Sequence, residues 1–349
     1  MRSALLSITA PTTLELVEDQ LSEPSGEMIE AARQLEAPIG ILGAGGKMGL
    51  HVARMARLAL DRAGRAEVPV VAVSRFSGLR ARQEFESRGI QTVAADLFDE
   101  AALAALPDFG TIYFLAGIKF GTAENSEALR LFNEEMPSRV AERFRCSVIV
   151  ALSTGCVYPF VTPASGGSSE RDLPEPYGEY AVSCYGRERA FTEASRQHGT
   201  SVALIRLNYA VEFRYGVLVD IAQKVLAGDD VALNTGYVNL IWQRDAVEHV
   251  LRSESIASSP PAVLNIAGKP IVSVRELAQR FGKLLGKAPI FTGTEEPTAW
   301  LNDATRSHTL FGEPATTLDE MIEAVATWIL AGHGTHDKPT HFSVRNGKF

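Results

Sequence analysis

The run Ile39-Gly40-Ile41-Leu42, followed at once by Gly43-Ala44-Gly45-Gly46-Lys47-Met48-Gly49, constrains the fold more than any other segment of this chain. A short apolar run bounded by glycines reads as a buried strand, and the glycines allow a tight turn into a helix predicted near Lys47 to Ala63. A strand predicted over Val68 to Val73 then completes a βαβ unit. The alternation continues with a helix near Leu79 to Arg88, a strand Gln91 to Ala94, a helix Glu100 to Leu106 and a strand Thr111 to Leu115. Helix 124–144, strand Ser147 to Leu152, helix 179–198 and strand Ser201 to Leu207 follow.

This order predicts an α/β protein: a doubly wound parallel sheet of the Rossmann type with a smaller C-terminal mixed α/β substrate lobe. Residues 1–37 are read as an N-terminal extension, 38–207 as the NAD(P)-binding domain, 208–335 as the substrate lobe and 336–349 as a tail. Exchange of segments between the two central regions is allowed by this reading. The stretch 159–176, rich in Pro, Gly and Ser, is expected as a long loop over the carboxyl edge of the sheet, where open α/β folds bind ligands.

A formal net charge of −8 leaves no basic surplus to neutralise phosphates, so neither nucleic acid nor an anionic membrane is an expected partner. A small molecule is. No apolar run approaches the roughly 18 residues of a membrane span, and neither a signal peptide nor an anchor is read at the start. Cys146, Cys156 and Cys184 are too few and too irregularly spaced for a disulfide framework or a zinc site, which fits a cytoplasmic protein. The histidines offer no paired spacing with a third ligand, so no metal is expected.

Strand before and helix after make the glycine cluster a cradle for pyrophosphate, built from Gly43, Gly46, Lys47, Met48 and Gly49. The second strand ends in Ser74-Arg75, where an NAD-binding fold usually carries an acid for the ribose hydroxyl. An arginine there suits a 2′-phosphate, so NADP is favoured over NAD; the other reading of Arg75 is a solvated strand-end charge. Asp96-Leu97 falls where an adenine ring is expected, or else serves as a helix cap before Glu100.

With Gly43-x-x-Gly46-x-x-Gly49, Asp96-Leu97, Phe114-Leu115-Ala116-Gly117, Ser153-Thr154 and Tyr180 in this order, the chain resembles the extended short-chain dehydrogenase/reductase family of NAD-dependent epimerases and dehydratases. The likeness runs from about Ile39 to Gly268. It implies that Leu115, Ala116, Gly117, Asn133 and Leu152 border the cofactor, with Lys119 close by. It also implies that Ser153 and Thr154 flank the reacting carbonyl or alcohol, that Tyr180 is the acid/base, and that the helices containing Asn133 and Tyr180 join a homodimer. One residue departs from the pattern: Cys184 stands where the family's Tyr-x-x-x-Lys segment has lysine. Ser183 and Glu188 fit this alignment, whereas Tyr185-x-x-x-Arg189 is a second register.

A tyrosine of ordinary pKa near 10 needs a nearby cation to act as a base at neutral pH. Lys119 is the first choice to replace the missing ammonium, with Arg187 and Arg189 as the others. Asn239, Trp242, Gln243 and Arg244 form a polar and aromatic cluster suited to a sugar-like or phosphorylated ligand, or alternatively a lobe interface, and Asn208, in a segment resembling the family's Arg-x-x-Asn with a one-residue offset, is the further substrate candidate. The expected function is that of an NAD(P)-dependent oxidoreductase or epimerase acting on a hydroxyl or keto group of a sugar-like or nucleotide-sugar substrate. The alternative is a catalytically silent NAD(P)-binding sensor or scaffold.

Overall fold

The computed structural model describes residues 11–118, 126–338 and 340–345. Two helices lead in, α1 (Leu14–Ser22) and α2 (Gly26–Ala32), each begun by a hydroxyl cap: Thr13 accepts from the Leu16 amide and Ser25 from the Met28 amide. Then come β1 (Ile39–Leu42), α3 (Gly49–Arg62), β2 (Val70–Ser74), α4 (Leu79–Glu86), β3 (Gln91–Ala94), α5 (Glu100–Ala104) and β4 (Thr111–Phe114). Helices α6 (Ser126–Arg130) and α7 (Met136–Arg143) are joined by a π-helical turn, Leu131–Glu135, and β5 (Val148–Thr154), α8 (Glu179–His198) and β6 (Val202–Leu207) follow.

The second half is mixed: β7 (Ala210–Val211), α9 (Val217–Ala227), β8 (Asp230–Ala232), β9 (Tyr237–Asn239), β10 (Ile241–Trp242) and α10 (Gln243–Arg252). It closes with β11 (Ala262–Ile266), β12 (Ile271–Ser273), α11 (Val274–Leu285), β13 (Ile290–Thr292), α12 (Thr305–Phe311) and α13 (Leu318–Leu330).

The main sheet has seven parallel strands in the order β11-β6-β5-β4-β1-β2-β3. Its order turns back between β1 and β4, which opens a crevice at their carboxyl ends. The expected doubly wound sheet is therefore present. Strand β11, read from sequence as part of the mixed second half, is instead the outermost strand of this sheet, paired with β6 from Ala262 to Ile266. Its apolar run suits either place, and only the partner decides.

One face of the sheet buries Ile41, Val150 and Ile205 against Val52, Leu60 and Val247; the other buries Leu42, Val73, Phe114 and Ile149 against Val140 and Phe191. A separate core in the second half gathers Phe213, Trp242, Phe281 and Trp328, and the late residue Phe342 enters it. Among the described residues no helix is long and apolar enough to cross a membrane.

His249 on α10 is buried, and its Nδ1 has no hydrogen-bond partner. Burial, with the His308 and Arg252 charges nearby, lowers its pKa from 6.5 to about 3. The unfolded chain therefore takes up a proton that the folded chain refuses, and stability drains as pH falls from 6.5 toward 3. Glu18 adds to this below 4.5: burial raises its pKa, but His51 and Arg214 outweigh that and hold it at about 2. Urea unfolding between pH 6.5 and 4.5 is expected to lose up to about 1.4 kcal/mol per pH unit from His249 alone. His249→Phe should flatten that slope, and a slope it leaves unchanged assigns the acid sensitivity elsewhere.

Candidate functional site

Two cavities meet at the carboxyl edge of the sheet. The larger, about 930 Å³, runs from Gly43 and Gly46 past Ser74 and Arg75 to Asp96 and Leu97. The smaller, about 320 Å³, is lined by Lys47, Met48, Gly49, Leu152, Ser153, Thr154 and Tyr180. Gly46, Leu115, Gly117 and Ile118 border both, so the two form one trough. Ala116 lines the larger part only.

The glycine turn is built for close approach. Gly43 has φ +85°, and a Cβ there would lie 2.5 Å from the Ala116 amide nitrogen. A Cβ on Gly45 would lie 2.5 Å from Ser74 Oγ, and one on Gly49 would run into the Ala44 carbonyl. Only hydrogen at these positions lets the turn, the β4 end and the start of α3 come together. A trough of this length, with a bare glycine turn and the first amides of a 14-residue helix at its middle, fits a dinucleotide. Arg80 also lines its larger end, although nothing in the sequence singled it out.

The other end is organised by α8. Tyr180 lies in its first turn, half-buried, and donates its hydroxyl hydrogen bond to the thiol of Cys184 one turn later. Cys184 is fully buried among Val157, Tyr158 and Tyr185. Burial pushes the Tyr180 pKa well above 10, the neighbouring Cys184 and Cys156 push the same way, and Arg187 opposes them. The Cys184 thiol is likewise raised by burial.

Arg187 sits one turn beyond Cys184 and is 7% exposed. Its Nη1 donates to the Leu152 carbonyl at 2.8 Å and its Nη2 to Asn133 Oδ1 at 2.5 Å, while the buried Nε has no partner. The guanidinium lines the same cavity as Tyr180. Gly117 makes room for it, since a Cβ there would fall onto Arg187 Nη2. Of the three cations weighed from sequence, Arg189 is exposed, and Lys119 lies outside the described residues.

Asn133 requires a correction. It is fully buried in the π-helical turn and borders neither cavity. Its amide is spent on Ile118 N and O, Ser183 Oγ and Arg187, so it pins the 116–118 loop to α8 rather than touching a cofactor. Trp242 is also corrected: it packs edge-on against Phe213 in the second core, with ring centroids 4.9 Å apart, and does not line the crevice. Asn239 is 1% exposed and bonds Asn208, Gly268 and Asn302, which ties loops together and leaves it off the crevice wall. Asn208 does line the cavity, with its amide nitrogen bonded to Asn239 and the Trp300 carbonyl.

Thr154 borders the cavity and accepts from the Cys156 amide at 3.3 Å. Ser153 faces it too, but its hydroxyl is committed to Glu188 at 2.6 Å. Glu188 in turn takes a two-pronged ion pair from Arg206, at 3.0 and 2.7 Å, and Arg206 reaches Tyr158. Gln243, from the polar cluster read in the sequence, lines the cavity, as does Tyr215 beside it; Tyr209, Trp300, Thr340 and Phe342 line it too and were not read as site residues. Tyr209 holds φ +42°, a costly conformation for a bulky side chain that local sequence does not advertise.

The sequence model of the NAD dependent epimerase/dehydratase family matches residues 39–251. Among curated proteins no sequence matches. Solved structures do. MoeE5 in complex with UDP-glucuronic acid and NAD is 22% identical, with a TM-score of 0.68 over 85% of this chain and 100% of its own. The UDP-glucuronic acid 4-epimerase from Bacillus cereus, in complex with UDP-glucuronic acid and NAD, is 18% identical, with a TM-score of 0.70 over 84% and 99%. UDP-glucose 4-epimerase from Thermotoga maritima is 17% identical, with a TM-score of 0.68 over the same shares. These likenesses are of fold. The matched segment takes in the glycine turn, Tyr180 and Arg187 within more than half the chain, and by that match the protein belongs to the NAD-dependent epimerase/dehydratase family.

Proposed function

We infer that this protein is an NAD(P)-dependent oxidoreductase or epimerase acting on a hydroxyl or keto group of a sugar-like substrate, with Tyr180 as acid/base. The observation that carries the reading is the convergence of Tyr180, Thr154 and Arg187 on one cavity continuous with the glycine-turn trough. A dinucleotide held along the glycine turn and the trough would supply the hydride acceptor or donor. Tyr180 accepts the substrate hydroxyl proton on its phenolic oxygen in one direction and donates it in the other. Thr154 offers its hydroxyl to the same substrate oxygen. Arg187 supplies the positive field that the family's lysine would give, from a fixed guanidinium instead of a mobile ammonium. Its charge opposes the desolvation that keeps Tyr180 protonated. Cys184, a neutral acceptor for the tyrosine hydroxyl, holds the ring in place.

Cofactor reduction at 340 nm and product analysis across polyols, sugar acids and nucleotide sugars test this reading. Cofactor binding without turnover of any of them is the result expected of the silent sensor.

The finer choice is NADP over NAD. What supports this reading is that Ser74, Arg75 and Arg80 line the larger cavity, with cations available to a ribose 2′-phosphate, and that positions 74 and 75 carry no acid. Arg75→Ala is expected to weaken NADP binding about ten- to hundred-fold, the worth of a charge-assisted hydrogen bond, with NAD nearly unaffected. Titration calorimetry with both cofactors reads this, and equal losses for the two assign Arg75 no part in the choice.

A further inference from the structure

We propose that Gln243 is a substrate-binding residue: its side-chain oxygen, aimed through His51 by Glu18 of the N-terminal helix α1, accepts a hydrogen bond from a non-reacting hydroxyl of the substrate beside Tyr180. The proposal rests on the oxidoreductase reading above and adds a requirement on its substrate, a second hydroxyl.

Gln243 opens α10, is 3% exposed, and lines the cavity that also holds Tyr180 and Thr154. Its Nε2 donates to His51 Nδ1 at 2.7 Å. Among the described residues no donor reaches its Oε1. That oxygen is not one of the sealed, unpaired atoms of the interior either, so the side left open is the crevice. A buried amide with its nitrogen bonded to protein and its oxygen on a cavity wall is equipped to meet a donor on a ligand.

The orientation of that amide is dictated from behind. His51 is 2% exposed, lies on α3 two residues after Gly49, and bonds Glu18 Oε2 through its Nε2. Glu18, with a pKa of about 2, is a carboxylate at neutral pH and can only accept. The His51 proton therefore sits on Nε2, and the neutral ring offers a lone pair at Nδ1. Such a lone pair requires the nitrogen of Gln243, which turns the oxygen outward. A doubly protonated ring would reverse the choice: it would draw in the Gln243 oxygen and present the NH₂ group to the substrate.

The far end of the relay is anchored as well. Glu18 Oε1 accepts from Arg214 Nη1 at 2.6 Å, so each carboxylate oxygen has its own donor. Val17 and Leu21 on the same helix are fully buried in the second core, and the Glu23 carbonyl just after α1 accepts from Arg244 Nε, next to Gln243, at 2.9 Å. Glu18 precedes the matched residues 39–251, so the relay begins in the N-terminal extension and ends at the substrate crevice. Glu18 and His51 are thus positioning residues, and Gln243 is the contact.

The test is calorimetry on the full chain saturated with NADPH or NADH, whichever binds tighter. The probes are D-glucose, D-glucuronate, UDP-glucose and the deoxyfluoro forms of whichever binds tightest. Fluorine keeps an acceptor and removes the donor. At least one such form is expected to bind the wild type about five-fold or more weaker than its parent, the cost of leaving a buried acceptor unpaired. In Gln243→Met the same pair should differ by less than about two-fold. Long-range proton–nitrogen spectra of labelled histidine, with the His51 signals identified by their absence in His51→Asn, should show the wild-type ring neutral and protonated on Nε2. In Glu18→Gln one carbonyl oxygen cannot serve both Arg214 and His51, so the proton is expected to move to Nδ1 and the fluorine penalty to vanish while cofactor affinity stays within about two-fold. A merely structural role for Glu18 would weaken every probe alike. A wild-type ring protonated on Nδ1, a fluorine penalty that survives in Gln243→Met or Glu18→Gln, or no binding by any probe overturns the proposal. A penalty that depends on both residues, with no cofactor turnover on any probe, leaves this inference standing and removes the oxidoreductase reading instead.

Discussion

Tyr180→Phe is expected to lower kcat by about 10²- to 10⁴-fold, the range for removing a positioned general acid or base, while cofactor affinity stays within about two-fold. The variant deletes one oxygen and keeps the ring. What the deletion removes is the hydrogen bond to Cys184 and the phenolic proton-carrier in the cavity that Thr154 also lines. Because burial holds the Tyr180 pKa well above 10, the wild type enters the reaction with that proton in place. Oxidation of an alcohol must therefore gain with rising pH, and reduction of a ketone should be the easier direction near neutrality. Steady-state rates in both directions, with calorimetry for the cofactor, read the prediction; activity retained in Tyr180→Phe reassigns the acid/base.

The second large effect concerns stability. Glu188 and Arg206 are 3% and 5% exposed at their side chains and form a two-pronged pair, with Ser153 and Tyr158 completing the hydrogen bonds. Removing one member leaves a guanidinium in the protein interior without its counter-charge. Glu188→Ala is expected to cost about 3–5 kcal/mol in urea unfolding, far beyond what an exposed ion pair contributes. Replacing both members, as in Glu188→Leu with Arg206→Met, should recover most of that loss, since no buried charge then lacks a partner. A double variant as unstable as the single one would locate the cost in packing instead.

The parts of the site that were legible in the sequence are those where function imposes a local backbone. Gly43 and Gly49 stand between a strand and a helix because side chains there would collide with Ala116 and Ala44, and that demand is written within a few residues of sequence. That Tyr180 and Thr154 meet at one cavity was legible only through the family resemblance of the segments that became α8 and β5. Trp242 and Asn239 misled because an indole or an amide serves a buried core as readily as a ligand. Their partners, Phe213 for one and Gly268 and Asn302 for the other, lie 29 to 63 residues away. Thr340 and Phe342 were illegible as crevice walls for the same reason: their anchors, Asp220 and Thr235, are more than 100 residues upstream. The inward turn of Arg187 depends on the absence of a side chain at Gly117, a long-range fact that no spacing within α8 reveals.

In the proposed reaction Arg187 does for Tyr180 what a lysine four residues after it does elsewhere in the family. The pH dependence of kcat/KM for alcohol oxidation, compared among wild type, Arg187→Lys and Arg187→Met, tests it most directly. The ascending limb, set by deprotonation of Tyr180, is expected to move up by about one pH unit or more in Arg187→Met and to stay near the wild-type position in Arg187→Lys. A limb that stays in place in Arg187→Met, with only stability or cofactor affinity reduced, contradicts it.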